Sequence, residues 1–376
     1  MPEVRILIAG GGTGGHIIPA LAVARELVTR HRAEVLFVGT ARGLETRLVP
    51  EAGFPLRTID VGPLNNVPLA TRIHTLITLP QSFFDSKHIL REFKPGAVLG
   101  VGGYASGPAM AMALYLKIPV MAFEPNAMPG LANRLVGKRV QAAAVNFPSA
   151  LGWFHNAEVT GIPVRPEFFS FSAPAGSAPH LLVFGGSQGA RIFNVHLPKI
   201  VRELLGAVPG LTILHQSGPR HFESTEVAYT LSGADPQRWQ VRPFIEDMPA
   251  QFARADLVVA RSGASTVAEL AAAGKPAILV PFAAAADEHQ RHNAEMMECA
   301  GAALMLLEKD LDIPGKLLDM LTRLFAAPER LTAIGHAART QAHPDAAERI
   351  ADRLAELATA NVSQENIPPT GEGEAV

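Results

Sequence analysis

Three times in this chain a short β-branched, aliphatic run ends in a glycine-rich turn and gives way to an amphipathic helix. That recurrence restricts the fold more than any other feature. Residues 4–9 read as a buried strand that runs into GGGTGGH at 10–16 and then into a helix over 18–30. Residues 97–101 lead into GGYASGP and a helix from Ala109, and 180–184 lead into GGSQGA and a helix over 191–205. Further strands are predicted at 34–38, 119–123, 211–216, 239–242, 257–260 and 277–280. Continuous apolar strands alternating with helices specify a mostly parallel sheet covered on both faces. With 376 residues, 48% of them apolar, the chain has material for two such α/β units rather than one.

The pattern restarts after VTGIPV, and FSFSAPAGSAPH is rich in Ser, Ala and Pro, which places a boundary near 163–174. We expect residues 1–163 to form one doubly wound domain and 164–345 a second. Residues 346–360 form an amphipathic helix expected to pack back toward the first domain, and 361–376 a disordered tail. The single cysteine, Cys299, lies in the helix-like NAEMMECAGAA and reads as a buried, inert thiol. A net charge of -2 supplies no polyanion-binding surface, so nucleic acid is not an expected partner. The N-terminal MPEVRILIAG lacks the basic start of a secretory leader. The longest apolar stretch, 108–123, is broken by Lys117 and Pro119 and falls short of the ~20 residues that span a bilayer. A soluble chain is expected, free to touch a membrane surface.

Glycines permit a tight turn, and their bare backbone lets N–H groups and a helix N-terminus approach a pyrophosphate. Residues 10, 12 and 15 satisfy G-x-G-x-x-G. A dinucleotide site also needs an acid about 20 residues on, at the end of the second strand. Here that strand ends Phe37-Val38-Gly39-Thr40 without one, which weakens a nicotinamide reading. Any one loop could simply turn the chain, but three at strand ends point to a cleft holding two phosphate-bearing groups. His16, directly after the first loop and at a helix start, is a candidate general base, against the simpler reading that it packs helix on sheet.

GGTGGH, GGYASGP, the segment around Glu124-Pro125-Asn126, GGSQGA, and RSGASTVAE at 261–269 occur together and in order. On these motifs, over residues 3 to about 355, the chain resembles the MurG family of glycosyltransferases. The resemblance implies a GT-B fold: two Rossmann-like, doubly wound parallel-sheet α/β domains facing an interdomain cleft, with the donor held chiefly by the second. It implies an inverting transfer of N-acetylglucosamine from UDP-GlcNAc to undecaprenyl-pyrophosphoryl-MurNAc-pentapeptide (lipid I to lipid II) in peptidoglycan synthesis. No cofactor and no metal are implied. The implied location is peripheral, at the cytoplasmic face of the bacterial plasma membrane.

Carried over position by position, the resemblance implies that Ala264, Ser265 and Thr266 face the donor diphosphate, with Glu269 on the uridine ribose. Backbone groups of Ile245 in PFIEDM are implied at the uracil edge, Arg165 and Ser187 near the diphosphate and sugar, and Gln290 in DEHQRHN on the sugar hydroxyls. His16 is implied as the base and Asn126 as the residue positioning sugar hydroxyls, both on the acceptor-facing side. Thr13, Gly14, Gly15 and Asn126 are further implied donor contacts. Gly14, Gly15, Gly103, Tyr104 and Ser106 would cradle the acceptor pyrophosphate. Two positions depart from the family pattern: Pro125 stands where a Gln is usual, and Ile162 replaces the Asn of Gly-Asn-Pro-Val-Arg.

Residues 67–93 carry Leu69, Ile73, Leu76, Ile77, Leu79, Phe83, Phe84, Ile89 and Leu90 among Arg72, Lys87 and Arg91. This is either an interfacial membrane surface or ordinary core. Asp310-Leu311-Asp312 matches a D-x-D metal pattern, but near a helix start capping is the expected role. His289 and His292 lack a third ligand nearby and are expected to line the donor pocket. Rival readings are another GT-B UDP-sugar transferase, a UDP-sugar epimerase on the same scaffold, a nicotinamide-dependent oxidoreductase, and a non-catalytic membrane scaffold.

Overall fold

The computed structural model describes residues 4–62, 68–170, 178–285 and 288–365. The chain divides into two compact units. The first comprises Met1–Glu124, Pro129–Pro163 and Asp345–Val376; the second comprises Pro125–Met128 and Val164–Pro344.

In the first unit the strands are β1 (Arg5–Ala9), β2 (Glu34–Gly39), β3 (Leu56–Thr58), β4 (Ala97–Gly100), β5 (Val120–Glu124), β6 (Ala142–Val145) and β7 (Ala157–Val159). They form one parallel sheet in the order β3-β2-β1-β4-β5-β6-β7. Ile6 lies opposite Val35 on one side and Ala97 on the other. Ile6, Leu7 and Ile8 are buried, because helices cover both faces of the sheet. Each such aliphatic side chain contributes roughly 1.5–3 kcal/mol on burial.

The second unit repeats the scheme with β8 (His180–Phe184), β9 (Thr212–Gln216), β10 (Trp239–Arg242), β11 (Leu257–Ala260), β12 (Ala277–Leu279) and β13 (Leu304–Met305). Their order is β10-β9-β8-β11-β12-β13. Leu181, Val183, Phe193, Leu197, Leu257 and Val259 belong to its core.

In both sheets the strand order reverses beside the unit's first strand. β1 is flanked by β2 and β4, and β8 by β9 and β11. At such a switch point the crossover helices leave to opposite faces, and a crevice opens at the carboxyl ends of the strands. GGGTGGH follows β1 and GGYASGP follows β4, while GGSQGA follows β8 and RSGAS follows β11. Each unit thus carries two such loops at the carboxyl ends of adjacent strands.

The structure differs from the sequence expectation in several places. The helix after β1 is Gly14–His31 and the one after β4 is Ser106–Tyr115, each starting three or four residues early. Gly and Ser are weak helix formers, so tertiary docking of the loop overrides propensity here. β3, β6, β7 and β13 were not anticipated, being two to four residues long and alanine-rich or at sheet edges.

The last helix, Ala346–Glu365, belongs to the first unit and buries Ile350, Ala351, Leu354 and Ala358. A Cβ on Gly96 would stand 2.9 Å from Ala358 Cβ, so the glycine is what allows this close approach. Asp352 pairs with Arg30 at 3.0 Å and His31 at 2.7 Å. The helix takes in 361–365, correcting the expectation of disorder there; the rest of the expected tail and residues 171–177 of the linker lie outside the described residues.

Cys299 is also a correction. It is exposed, as the final residue of the helix His289–Cys299. Asn293, Ala294 and Met297 take the buried face, and a residue two positions past Met297 points about 200° away from it.

Candidate active site

In the first unit the two loops rest backbone on backbone. A Cβ on Gly10 would lie 2.2 Å from the Gly102 carbonyl oxygen, and one on Gly103 would lie 2.4 Å from that of Gly11. Neither obstacle is a side chain that can swing aside. His16 sits in the first turn of Gly14–His31, and a Cβ on Gly102 would fall 2.9 Å from its Nε2. Its Nδ1 is 3.2 Å from the Gly11 carbonyl and 3.3 Å from Thr13 Oγ1. A carbonyl only accepts, so in the neutral ring Nδ1 carries the proton and the lone pair stays on Nε2.

Thr13 and Tyr104 are exposed, while Gly14, Gly15 and Gly103 are half-buried. Ser106 corrects its expected role. It is fully buried, and its hydroxyl donates to Gly103 O at 2.8 Å, so it closes the loop rather than reaching toward a pyrophosphate.

The sequence reading found no acid in this unit's nucleotide-like site; the structure supplies one in Glu45. This residue opens the helix Glu45–Glu51 just past β2 and is shut off from solvent, although it lies shallow beneath glycine loops. Its carboxylate accepts from Gly12 N at 2.7 Å, Thr40 N at 2.9 Å and Thr40 Oγ1 at 2.9 Å. Burial alone would raise its pKa. The N–H groups of Gly12 and Thr40 outweigh burial and hold the carboxyl below its ordinary value.

In the second unit GGSQGA interlocks backbone on backbone with the Ser217-Gly218 loop after β9. A Cβ on Gly189 would lie 1.9 Å from Ser217 O, and one on Gly218 would lie 2.0 Å from Gln188 O. Among the described residues no acid fills this loop. Instead the buried Gln216, at the end of β9, donates from Nε2 to Gly186 O at 2.7 Å and accepts from Ile245 N at 2.8 Å. The Ile245 N–H is therefore taken, and of the backbone groups expected at the uracil edge the carbonyl is the one left for a base. Ser187 is exposed at the loop tip.

The helix Ala264–Ala273 has Gly263 at its N-cap and no side-chain cap, so the N–H groups of Ala264, Ser265 and Thr266 keep their affinity for an anion. Ser265 Oγ is buried without a partner. Glu269, further along this helix, keeps some solvent exposure but is deep-set among protein atoms. Burial pushes its carboxyl up to about 7, against the opposing pull of Arg165. Arg165 is exposed and lies 5.1 Å from the Phe168 ring centroid.

A cavity of about 630 Å³ in this unit is lined among others by Gly185, Gly189, Arg191, Arg261, Phe282 and Gln290. Arg261 is held between the rings of Phe193 and Phe282, at 5.5 and 5.1 Å, and pairs with Glu308 at 2.5 Å. Gln290 Oε1 accepts from Phe282 N at 3.0 Å, which turns the amide NH2 into its donor end. Asn293, fully buried, donates to Ser262 O at 3.1 Å and Asn126 Oδ1 at 3.2 Å and accepts from Ala127 N at 2.8 Å. It ties Pro125–Met128 to Ser262 within the second unit. Asp287 lies outside the described residues.

Asp310 and Asp312 do not cap the following helix, whose N-cap is Gly315. They face Lys316 at 3.1 Å and His196 at 3.5 Å. His292 faces Glu295 at 3.2 Å. Among the described residues no group of three His, Cys, Asp or Glu side chains is placed to hold a metal ion.

The helix Leu69–Phe93 is turned inside out. It buries Thr75, Ser82 and Ser86, whereas Ile73, Ile77 and Phe84 are exposed, the last two at 72% and 66%. The buried hydroxyls of Ser82 and Ser86 donate to the helix's own carbonyls, Leu79 O and Ser82 O, each at 2.7 Å. Ile89 and Leu90 are core, the second of the two readings of this stretch; the side chains of Leu69 and Leu76 lie outside the described residues, as does Val67. Among the described residues no helix is long and apolar enough to cross a membrane.

Comparison with known proteins adds the following. Residues 6–145 match the glycosyltransferase family 28 N-terminal domain, and residues 180–350 match the glycosyltransferase family 28 C-terminal domain. The chain is 46% identical over 361 residues to the UDP-N-acetylglucosamine–N-acetylmuramyl-(pentapeptide) pyrophosphoryl-undecaprenol N-acetylglucosamine transferase of Anaeromyxobacter dehalogenans (strain 2CP-C), covering 94% of this chain and 93% of that one. A relative of the same name from Solibacter usitatus (strain Ellin6076) is 45% identical over 356 residues, covering 94% and 96%. The crystal structure of Acinetobacter baumannii MurG superposes with a TM-score of 0.78 at 30% identity, covering 94% of this chain and 100% of that one.

Proposed function

The chain belongs to glycosyltransferase family 28, and on that premise we propose that its second unit holds a UDP-GlcNAc donor while its first unit receives a lipid-linked acceptor. Its two parallel-sheet α/β units are those of the GT-B fold. The enzyme is a UDP-GlcNAc-dependent N-acetylglucosaminyltransferase of peptidoglycan synthesis, converting undecaprenyl-pyrophosphoryl-MurNAc-pentapeptide (lipid I) to lipid II.

In the reaction an acceptor hydroxyl oxygen attacks the anomeric carbon from the face opposite UDP. A new C–O bond forms as the bond from the anomeric carbon to the phosphate oxygen breaks, so configuration inverts. The hydroxyl proton passes to His16 Nε2, and the leaving diphosphate takes the electron pair. The uncapped N-terminus of Ala264–Ala273, with Arg165 and Ser187, stabilises that charge. Glu269 accepts from the ribose hydroxyls. Ile245 O meets the uracil, and Gln290 donates to the sugar. Thr13, Gly14, Gly15, Gly103 and Tyr104 cradle the acceptor pyrophosphate, and Asn126, fixed by Asn293, orients sugar hydroxyls.

The observation that carries this reading is Glu269 beside an uncapped helix start: one group for ribose, one for diphosphate, on a single helix. The direct test is transfer of labelled N-acetylglucosamine from its UDP donor to a short-chain lipid I analogue. Release of free sugar with no acceptor product would overturn it.

The inverted helix Leu69–Phe93 supports peripheral attachment to the cytoplasmic face of the plasma membrane. Ile73, Ile77 and Phe84 insert at the headgroup boundary, with Arg72 and Arg91 exposed beside them to meet anionic lipid. A doubly substituted Ile77→Asp, Phe84→Asp protein should cosediment with anionic vesicles at least tenfold less, with unchanged UDP affinity. Undiminished cosedimentation would exclude this face as the anchor.

A further inference from the structure

We infer that Glu45 is the positioning residue of the first glycine loop: its buried carboxylate occupies the anion seat of that loop and thereby fixes Gly12, Thr13 and the His16 ring. The inference rests on the assignment of His16 and its loop to the acceptor reaction. Gly12 N, Thr40 N and Thr40 Oγ1 converge on the carboxylate at 2.7, 2.9 and 2.9 Å, a donor set like that with which a glycine loop grips a phosphate oxygen. The surroundings are cut to the same shape. A Cβ on Gly11 or Gly39 would come within 2.5 Å of the Glu45 side chain, and one on Gly43 within 2.0 Å of Oε2.

A residue in the first turn of a helix usually serves its own helix. Glu45 instead reaches a loop 33 residues earlier in the chain. That loop is the one whose Gly11 carbonyl faces His16 Nδ1 and so sets which ring nitrogen holds the lone pair. With Gly12 N–H engaged, the acceptor pyrophosphate is left the N–H groups at the start of Gly14–His31.

The test uses the full-length enzyme with a lipid I analogue. Glu45→Ala should lower kcat about 10²-fold, the scale expected when a catalytic group is misplaced by about an ångström. UDP affinity by calorimetry should stay within twofold. Formate, a carboxylate small enough for the vacated seat, should restore kcat at least tenfold in Glu45→Ala and leave the unsubstituted enzyme unaffected. A kcat within threefold of the parent, a parallel loss of UDP binding, or a folded Glu45→Ala indifferent to formate would each overturn the inference. Should Glu45→Ala fail to fold, Thr40→Val removes one donor and keeps the carboxylate. It should lower kcat several-fold at constant UDP affinity, and an unchanged kcat would then count against Glu45. If His16→Ala proves fully active, the base assignment falls, while formate rescue still reports on Glu45 by itself.

Discussion

Glu45 and Glu269 are both acids beside a switch-point glycine loop, one in each unit, and their surroundings drive them in opposite directions. Glu45 lies shallow but is gripped by N–H groups, so the charged form wins despite burial. Glu269 lies deep with only Arg165 to oppose desolvation, and its carboxyl is pushed up to about 7. What separates them is depth together with the supply of donors. In the first unit's loop the Gly12 N–H is spent on an internal carboxylate. The helix start at Ala264 carries no side-chain cap, beside a carboxyl whose desolvation only Arg165 opposes.

Three experiments press on that contrast. The largest effect is expected for His16→Ala, which should lower kcat by about 10²–10⁴-fold, the range for loss of a general base, with UDP affinity unchanged. A matching loss of UDP binding would erase the division of labour between the two loops.

Next comes stability against pH. The Glu269 carboxyl rises from 4.5 to about 7 on folding. Its favourable contribution is therefore whole below about 4.5 and lost as pH climbs through about 7, a difference of about 3 kcal/mol. Glu269→Gln should melt above the parent at pH 8 and converge with it near pH 4. Glu45 has the opposite sign: its contribution is present above the ordinary carboxyl range and lost as pH falls through its lowered value. Glu45→Gln should therefore melt below the parent at pH 8, with the gap closing in acid. Melting curves that move the same way at pH 8 would break the comparison.

The smallest effect is on the donor KM. Loss of charge-assisted bonds to ribose in Glu269→Gln should raise it about 10–100-fold with little change in kcat. In the parent enzyme the donor KM should climb as pH drops below about 7, whereas the Gln variant should give a flat profile.

The strands were legible because their signal is local. The predicted ranges 180–184, 239–242 and 257–260 coincide with β8, β10 and β11; β8 and β11 are mostly aliphatic runs, and β10 alternates apolar Trp239 and Val241 with polar Gln240 and Arg242. The helix starts at Gly14 and Ser106 were not, because their residue types argue against helix and only docking of the loops places them there. Glu269 is singled out by a resemblance that spans the loop and the helix after it, but its depth among protein atoms shows only in the structure. Glu45 was hidden because its partner Gly12 lies 33 residues away, although an acid six residues beyond the end of a strand was a visible hint. Gln216 escaped for the same reason: a polar residue ending a buried strand is conspicuous, but its bonds to Gly186 and Ile245 exist only once the sheet is assembled.

The helix Ala346–Glu365 has a consequence for the order in which the protein is made. It is the last described element to leave the ribosome, yet Ile350, Leu354 and Ala358 complete the core of the unit that emerges first. Until residue 358 is translated and free, the apolar surface of Gly14–His31 and the strand start beside Gly96 lack their cover. A nascent chain that stops short of this helix thus carries an open seam in its oldest part. Quality control that binds exposed apolar surface has, in that seam, a direct readout of whether translation has passed residue 358.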